Sequence, residues 1–125
     1  MFDAQTLISK GTAYKILSPW MARGGDYLLA SFDVVAVDGC SVTVTLFSKN
    51  SEVSGDGTSA STTTVTLSAV GVTSQQWRSG GAGGTSNATL DELVRFEFHV
   101  TTTTAGKWIS FRMLAPVWYD AVDGD

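Results

Sequence analysis

Two runs near the carboxyl end alternate strictly between apolar and polar residues, and they constrain the fold more than any other feature. The apolar residues of the first run are Val94, Phe96, Phe98 and Val100. Those of the second run are Ile109, Phe111 and Met113. Because successive side chains of a β-strand point to opposite faces, this period of two predicts two strands, each with one buried and one solvated face. We expect the apolar faces to fill a core.

The polar positions of the same runs carry an unusual set of side chains. They are Arg95, Glu97, His99, Trp108, Ser110 and Arg112. Only 16% of the chain is charged, so this is a dense set for a face that meets only solvent. We therefore predict protein contacts through Arg95, His99, Trp108 and Arg112, with Trp77 as a further candidate. An ordinary solvated sheet face is the alternative interpretation.

The two runs are predicted to pair as an antiparallel hairpin across a threonine-rich turn. A register that places Arg95 opposite Arg112 is disfavoured, because like charges directly across two strands repel. A shift of two residues pairs Phe98 with Phe111 and Glu97 with Arg112 instead. A shift of one residue is excluded, because it would turn the apolar set outward. The sequence therefore predicts the Glu97–Arg112 register.

Several other segments also have strand character, and turn signals separate them. They are 12–17, 27–37, 40–47, 62–67 and 70–78. Asp38-Gly39 stands between two of them, which is typical of a type I′ hairpin turn with positive φ at both turn residues. No segment has helical periodicity over ten residues. The sequence thus predicts one all-β domain over 1–125, an antiparallel sandwich or small jelly-roll-like barrel of six to eight strands with little or no helix.

The remaining segments are predicted to lie outside the sheets. Residues 1–11 form an arm or a short edge strand, and 121–125 form an acidic tail. Segment 48–61 is a long polar loop. Segment 79–89 contains four glycines between positions 80 and 84. It is predicted as a flexible loop rather than a phosphate cradle, because no Lys-Ser/Thr pair follows the glycines.

Charge and cysteine content narrow the classes of function. A net charge of −4 disfavours binding to nucleic-acid phosphates or to an anionic membrane surface. No apolar run approaches the roughly 18 residues that a membrane helix needs, and the amino terminus lacks the pattern of a signal peptide. Cys40 is the sole cysteine, so it has no partner for a disulfide within the chain. We expect synthesis in a cytoplasm and release by lysis rather than secretion.

Residues suited to catalysis or metal binding are few. His99 is the only histidine, and without a nucleophile-elbow spacing it is predicted as a surface or interface residue rather than a catalytic base. Cys40 is predicted as a small buried apolar residue. One Cys and one His make a poor zinc ligand set, and the acidic tail lacks the spacing of a calcium loop. We therefore predict no catalytic, cofactor-binding or metal-binding residues and expect that the chain is not an enzyme.

Three stretches carry a resemblance to a known group of proteins. They are Ser-Lys-Asn-Ser-Glu at 48–52, Glu-Leu-Val-Arg-Phe-Glu-Phe at 92–98, and Trp-Ile-Ser-Phe-Arg-Met-Leu-Ala-Pro-Val-Trp-Tyr at 108–119. Together they resemble small all-β virion proteins of tailed bacteriophages, and most of all capsid decoration, or cement, proteins. The resemblance implies a structural protein on the capsid exterior that binds the major capsid protein and bridges its subunits. It also implies a homo-oligomer, with a trimer as one form, and no catalytic residues.

Two other functions stay open. One is a tail or baseplate component of the same kind of particle. The other is a carbohydrate-binding module in which Trp108 or Trp77 stacks on a sugar.

Overall fold

A computed structural model of the chain describes residues 2–79, 86–88 and 90–119. These residues form twelve β-strands and no helix. The strands are β1 (Phe2–Ile8), β2 (Tyr14–Leu17), β3 (Met21–Ala22), β4 (Tyr27–Asp38), β5 (Val42–Lys49), β6 (Thr58–Ser59), β7 (Val65–Leu67), β8 (Gly71–Ser79), β9 (Ser86–Ala88), β10 (Leu93–Val100), β11 (Trp108–Met113) and β12 (Val117–Tyr119). The predicted all-β class is confirmed. No helix in the described ranges is long and apolar enough to cross a membrane.

The strands form two sheets that pack face to face as a sandwich. Sheet A has the order β1-β11-β4-β8-β9, and β12 also pairs with β4. Sheet B has the order β2-β10-β5-β6, with β3 also pairing with β10 and β7 with β5. The described pairings are antiparallel apart from β8 with β9. Several short strands share one long partner, which explains why there are more strands than the expected six to eight.

The core lies between the two sheets and follows from the alternation in the sequence. All seven apolar residues predicted to be buried in β10 and β11 are at most 3% exposed. Aromatic rings from both sheets meet at the centre: Phe32 lies edge-on to Phe96 with ring centroids 5.8 Å apart. The Phe98 and Phe111 rings are 5.5 Å apart, and Trp77 lies 6.0 Å from Phe96. These contacts join β10 of sheet B to β4, β8 and β11 of sheet A.

The predicted hairpin between β10 and β11 is wrong. β10 lies in sheet B between β2 and β5, whereas β11 lies in sheet A between β1 and β4. Glu97 is opposite Leu17 and Thr45, and Arg112 is opposite Asp33, so the predicted Glu97–Arg112 pair does not form. The physical reason is that an apolar face is buried equally well whichever sheet contains the strand. Alternation determines which face is buried but does not determine the neighbouring strand.

The Asp38-Gly39 turn also connects the two sheets, since β4 belongs to sheet A and β5 to sheet B. Gly39 has a φ of 67°, but no described residue other than glycine has a positive φ. The predicted type I′ hairpin is therefore wrong, because it requires positive φ at both turn residues. Gly39 forms an isolated bridge with Trp108. Cys40 follows and is only 1% exposed, which confirms the prediction that it is a small buried residue.

The segments predicted outside the sheets have mixed outcomes. Residues 1–11 contain β1, an edge strand of sheet A, so the edge-strand alternative is confirmed. The predicted loop 48–61 contains the end of β5 and the short strand β6. The predicted loop 79–89 is wrong at 86–88, because these residues form β9 and pair with β8. The glycines between 80 and 84 and the predicted acidic tail at 121–125 lie outside the described residues.

Candidate functional site

The five residues predicted to make contacts do not form one surface. Arg95 and His99 belong to the outer face of sheet B, whereas Trp108 and Arg112 belong to the outer face of sheet A, on the opposite side of the sandwich. Trp77 is in the core and 0% exposed, so it offers no platform for a sugar. The expectation that these residues share one surface is therefore wrong, because β10 and β11 lie in different sheets. The contact roles of the four outward residues stay predictions.

On the outer face of sheet A, several charged and aromatic side chains already contact one another. Arg112 Nε donates to Asp33 Oδ2 at 3.0 Å across the β11–β4 pair. At the other end of the face, the Tyr27 and Tyr119 rings stack 4.9 Å apart, and the Arg78 guanidinium lies 5.1 Å from the Tyr27 ring centre. Binding at this face would therefore compete with contacts that already exist within the chain.

The outer face of sheet B carries a cluster that the sequence analysis missed, which we call the Trp20 stack: Trp20, Lys49, Arg95 and Asp56. The Arg95 guanidinium lies 4.3 Å from the Trp20 ring centre and Lys49 Nζ lies 4.8 Å from it. Arg95 Nη2 also donates to Asp56 Oδ1 at 3.0 Å. Arg95 is only 8% exposed, so this predicted contact residue is mostly covered by its own chain. The cluster holds the loop after β5 against the outer face of sheet B.

Trp20 reaches that position because the edge of sheet B is interrupted between β2 and β3. Ser18 N–H donates to the Phe96 carbonyl at 2.9 Å, and Ser18 Oγ accepts from Phe96 N–H at 2.9 Å. Pro19 has no N–H, so it cannot continue the ladder. The Ser18-Pro19 break was visible in the sequence, but the partners of Trp20 were not.

His99 and Cys40 lie in different environments, His99 on the outer face of sheet B and Cys40 in the core. His99 is opposite Lys15 and Thr43 on the two neighbouring strands, and it alternates with buried residues of β10. Cys40 is enclosed in the core. Burial raises the pKa of the Cys40 thiol, which favours the protonated form, a poor nucleophile.

An apolar cleft opens between the sheets on the side where β1 and β2 are edge strands. Its volume is about 230 Å³. Gln5 and Ser18 contribute polar groups, and the rest of the lining is apolar: Leu7, Ile16, Leu17, Pro19, Phe98 and Phe111. We call this the edge cleft. Ile16 is 39% exposed and Leu17 is 45% exposed, so the rim of the edge cleft presents apolar side chains to solvent.

Among the described strands, β1 pairs on one side only, with β11, and its other side lies next to the edge cleft. Ser9 N–H donates to the Lys107 carbonyl at 2.7 Å, and the Ser9 carbonyl accepts from Gly106 N–H at 3.0 Å. Since bonding direction alternates along an antiparallel strand, Thr6 and Ile8 direct their backbone groups away from β11. The hydrogen bond of the Ile8 carbonyl supports this direction, because the carbonyl accepts from the Tyr14 hydroxyl at 2.8 Å rather than from β11. The backbone groups of Thr6 therefore face the open side of sheet A.

A second, more open cavity of about 500 Å³ lies near Arg23 and Glu92. Arg23 donates to the carbonyls of Gly25 and Leu90 and to the Asp26 carboxylate. Its guanidinium is thus used to hold the turn 23–26 and the segment before β10. No group of three or more His, Cys, Asp or Glu side chains in the described ranges is arranged to hold a metal ion.

No protein-family model matches the chain, and comparisons with curated proteins and with solved structures find no match either.

Proposed function

We propose that this chain is a non-enzymatic structural protein that binds another protein through the edge cleft and the adjacent free side of β1. We further propose that the partner is the major capsid protein of a tailed bacteriophage and that the chain occupies the capsid exterior, where it stabilises contacts between subunits. A homo-oligomer, such as a trimer, belongs to this proposal. The observation that carries the protein-binding role is the apolar edge cleft beside an unpaired strand edge.

Exposed apolar side chains support a docking role for this side of the sandwich. Ile16 and Leu17 at the rim of the edge cleft are 39% and 45% exposed, and Ile8 of β1 is 53% exposed on the outer face of sheet A, opposite Trp108. Exposed apolar side chains at the edges of the sheets favour association, because burial of apolar area contributes roughly 25 cal/mol per Å². The guanidinium groups of Arg95 and Arg112, by contrast, are already paired with carboxylates of the chain.

The size of the edge cleft supports a protein partner rather than a small substrate. Pockets for small molecules typically have volumes of roughly 300–1,000 Å³. The edge cleft, at about 230 Å³, is smaller and suits one or two apolar side chains. Apolar anchors of this kind contribute a large share of the free energy of protein association.

The resemblance of three stretches to phage decoration proteins supports the capsid as partner. On a capsid, many copies of a weak site face a repeating lattice. When the copies are linked as an oligomer, each further contact becomes intramolecular, so the combined affinity greatly exceeds that of one site. A small cleft is therefore sufficient for stable attachment in this setting.

The test is co-sedimentation with capsids assembled from the major capsid protein encoded in the same genome. The chain should sediment with the capsids at a fixed ratio. Leu17→Gln should weaken attachment by about three- to tenfold, because Leu17 is 45% exposed and burial of that remaining part contributes roughly half of the 1.5–3 kcal/mol of a whole leucine side chain. Val70→Gln is the matched control, since Val70 is also exposed but lies beside β8, away from the β1 edge.

Three outcomes of this experiment are informative. Co-sedimentation that is lost only in Leu17→Gln supports both the capsid partner and the edge cleft. Equal binding by both variants would contradict the edge cleft as the contact. Failure of the unaltered chain to bind any assembled form of the capsid would contradict the capsid role.

A further inference from the structure

We propose that Trp20, Lys49 and Arg95 form a binding site for a carboxylate, and that Asp56 is the resident occupant of this site. When the partner protein binds, one of its Asp or Glu side chains takes the place of Asp56. This inference rests on the proposed protein-binding role and adds a second, polar contact to it.

The cationic part of the site is fixed by the fold. Arg95 lies on β10, which is paired on both sides with β2 and β5, and its side chain is only 10% exposed. The Trp20 ring lies over the Arg95 guanidinium at 4.3 Å. Lys49 Nζ is 4.8 Å from the same ring and donates to the Gly55 carbonyl at 3.0 Å. These contacts hold two positive charges beside one aromatic ring.

The anionic part of the site is far less constrained. The Asp56 side chain is 85% exposed, and it lies in a run of exposed residues, 51–56. Its Oδ1 accepts from Arg95 Nη2 at 3.0 Å. A guanidinium can donate two parallel bonds to one carboxylate, yet the buried Nε of Arg95 has no acceptor among the described residues. Asp56 thus pairs with Arg95 incompletely and can move away with its loop while Arg95 stays in place.

Burial makes Arg95 require an anion. A charge that is mostly removed from water is unfavourable unless it is paired, so departure of Asp56 favours binding of another carboxylate. Arg112 provides the comparison within the chain. It pairs with Asp33 at the same distance of 3.0 Å, but its side chain is 54% exposed, so water can solvate it when the carboxylate is removed. Of these two arginines, Arg95 is therefore the one that binds a replacement.

The surroundings of the site favour a carboxylate from a protein. The group that occupies the site in the folded chain is itself an aspartate side chain, which has the chemistry of the proposed ligand. Pro19 lines the edge cleft, and Trp20 follows it directly in the sequence, so adjacent residues connect the two sites. A tethered group such as Asp56 competes at an effective concentration in the millimolar range. A partner already held in the edge cleft is also locally concentrated and can displace it.

The first experiment is chemical rescue of Asp56→Ala, which empties the site. The variant should have a lower thermal unfolding midpoint than the unaltered chain. Sodium acetate should restore the midpoint with half-saturation at about 5–100 mM, as expected for one hydrogen bond to a charged group. Sodium chloride at the same ionic strength should restore little of it. Asp56→Ser, which keeps a small polar side chain, should respond to acetate in the same way.

Asp33→Ala is the matched control, because it removes the carboxylate beside the exposed Arg112. Acetate should shift its unfolding midpoint no more than it shifts that of the unaltered chain. NMR of the arginine Nε–H groups gives a direct measurement of binding. In Asp56→Ala, the Arg95 signal should shift with acetate and saturate over the same range of concentration as the rescue.

The second experiment is co-sedimentation of the variants with assembled capsids. Asp56→Ala should bind about three- to tenfold more tightly than the unaltered chain, because no resident carboxylate competes with that of the partner. Addition of Arg95→Gln to Asp56→Ala should abolish this gain. Circular dichroism verifies that each variant is folded.

Several results would overturn the inference. Equal responses of Asp56→Ala and Asp33→Ala to acetate, or no response of either, would exclude a carboxylate site at Arg95. Rescue by phosphate at much lower concentration than by acetate would assign the site to phosphate instead. Capsid binding that depends on Leu17 but is unchanged in Asp56→Ala would overturn the role of a partner carboxylate and leave the proposed function intact. Acetate rescue without capsid binding by the unaltered chain would contradict the proposed function, not the carboxylate site.

Discussion

Replacing Phe96 with alanine tests which face of sheet B is buried. Phe96 is 0% exposed, and its ring is 5.8 Å from Phe32, 6.0 Å from Trp77 and 6.4 Å from Phe98, measured between ring centroids. Truncation of a buried phenylalanine costs about 3–5 kcal/mol. Loss of three aromatic contacts, each contributing about 0.5–1.5 kcal/mol, places Phe96→Ala near the upper end of that range.

Phe47→Ala is the matched control, because Phe47 is opposite Arg95 on the neighbouring strand β5. It differs from Phe96 in lying on the outer face of sheet B, where it is half-buried. Truncation of Phe47 should cost only about 1 kcal/mol, because a half-buried side chain loses roughly half of the transfer free energy that a fully buried one would lose. The expected difference between the two variants is therefore about 3 kcal/mol.

Urea unfolding followed by tryptophan fluorescence and circular dichroism measures both changes. With an unchanged m-value, the shift in midpoint gives the change in unfolding free energy. The free energy of unfolding of a single domain is about 5–15 kcal/mol. Phe96→Ala should therefore lose a large part of its stability or fail to fold. Equal costs for the two variants, or a larger cost for Phe47→Ala, would show that sheet B does not bury the face carrying Phe96.

The other predictions concern hydrogen bonds, ion pairs and pH. Ser18→Ala should cost about 1–3 kcal/mol, because Phe96 N–H loses its acceptor in a buried position, and chemical denaturation measures this. Arg112→Ala should cost less than about 1 kcal/mol, because its side chain is 54% exposed and such pairs with carboxylates are screened by solvent. Unfolding in low and high salt should give nearly the same small difference. Burial raises the pKa of the Cys40 thiol, so the unfolded chain loses this proton at lower pH than the folded one. The stability that Cys40 contributes is therefore complete below the ordinary thiol pKa of about 8.5 and declines as pH rises above it. Cys40→Ala should show a flatter decline between neutral and alkaline pH, and an unchanged slope would contradict this cause.

The buried faces of the strands were predictable from the sequence, because burial depends on local alternation. Val94 to Val100 and Ile109 to Met113 have the predicted inward and outward sides. The neighbours of those strands were not predictable. The free energy of burying Phe98 does not depend on whether Phe111 is beside it in one sheet or across the core in the other.

The candidate site was less predictable than the core. The edge cleft depends on which strands are at the edges, and that follows from strand order rather than from any local pattern. Arg95 was correctly predicted to point away from the core, yet Trp20 and Asp56 cover it. The only sequence signal for this cover was the Ser18-Pro19 break immediately before Trp20.

The strand order of sheet A has a consequence for the time at which the protein can fold during synthesis. β11 separates β1 from β4, so among the described strands β1 has no neighbour until residues 108–113 have been made. Pairings between distant segments form slowly because a long loop must close first. A nascent chain ending at residue 107 would expose β1 and one side of β4 together. Chains that end at this residue should therefore aggregate or be degraded, and the folded sandwich should appear only after β11 has been made.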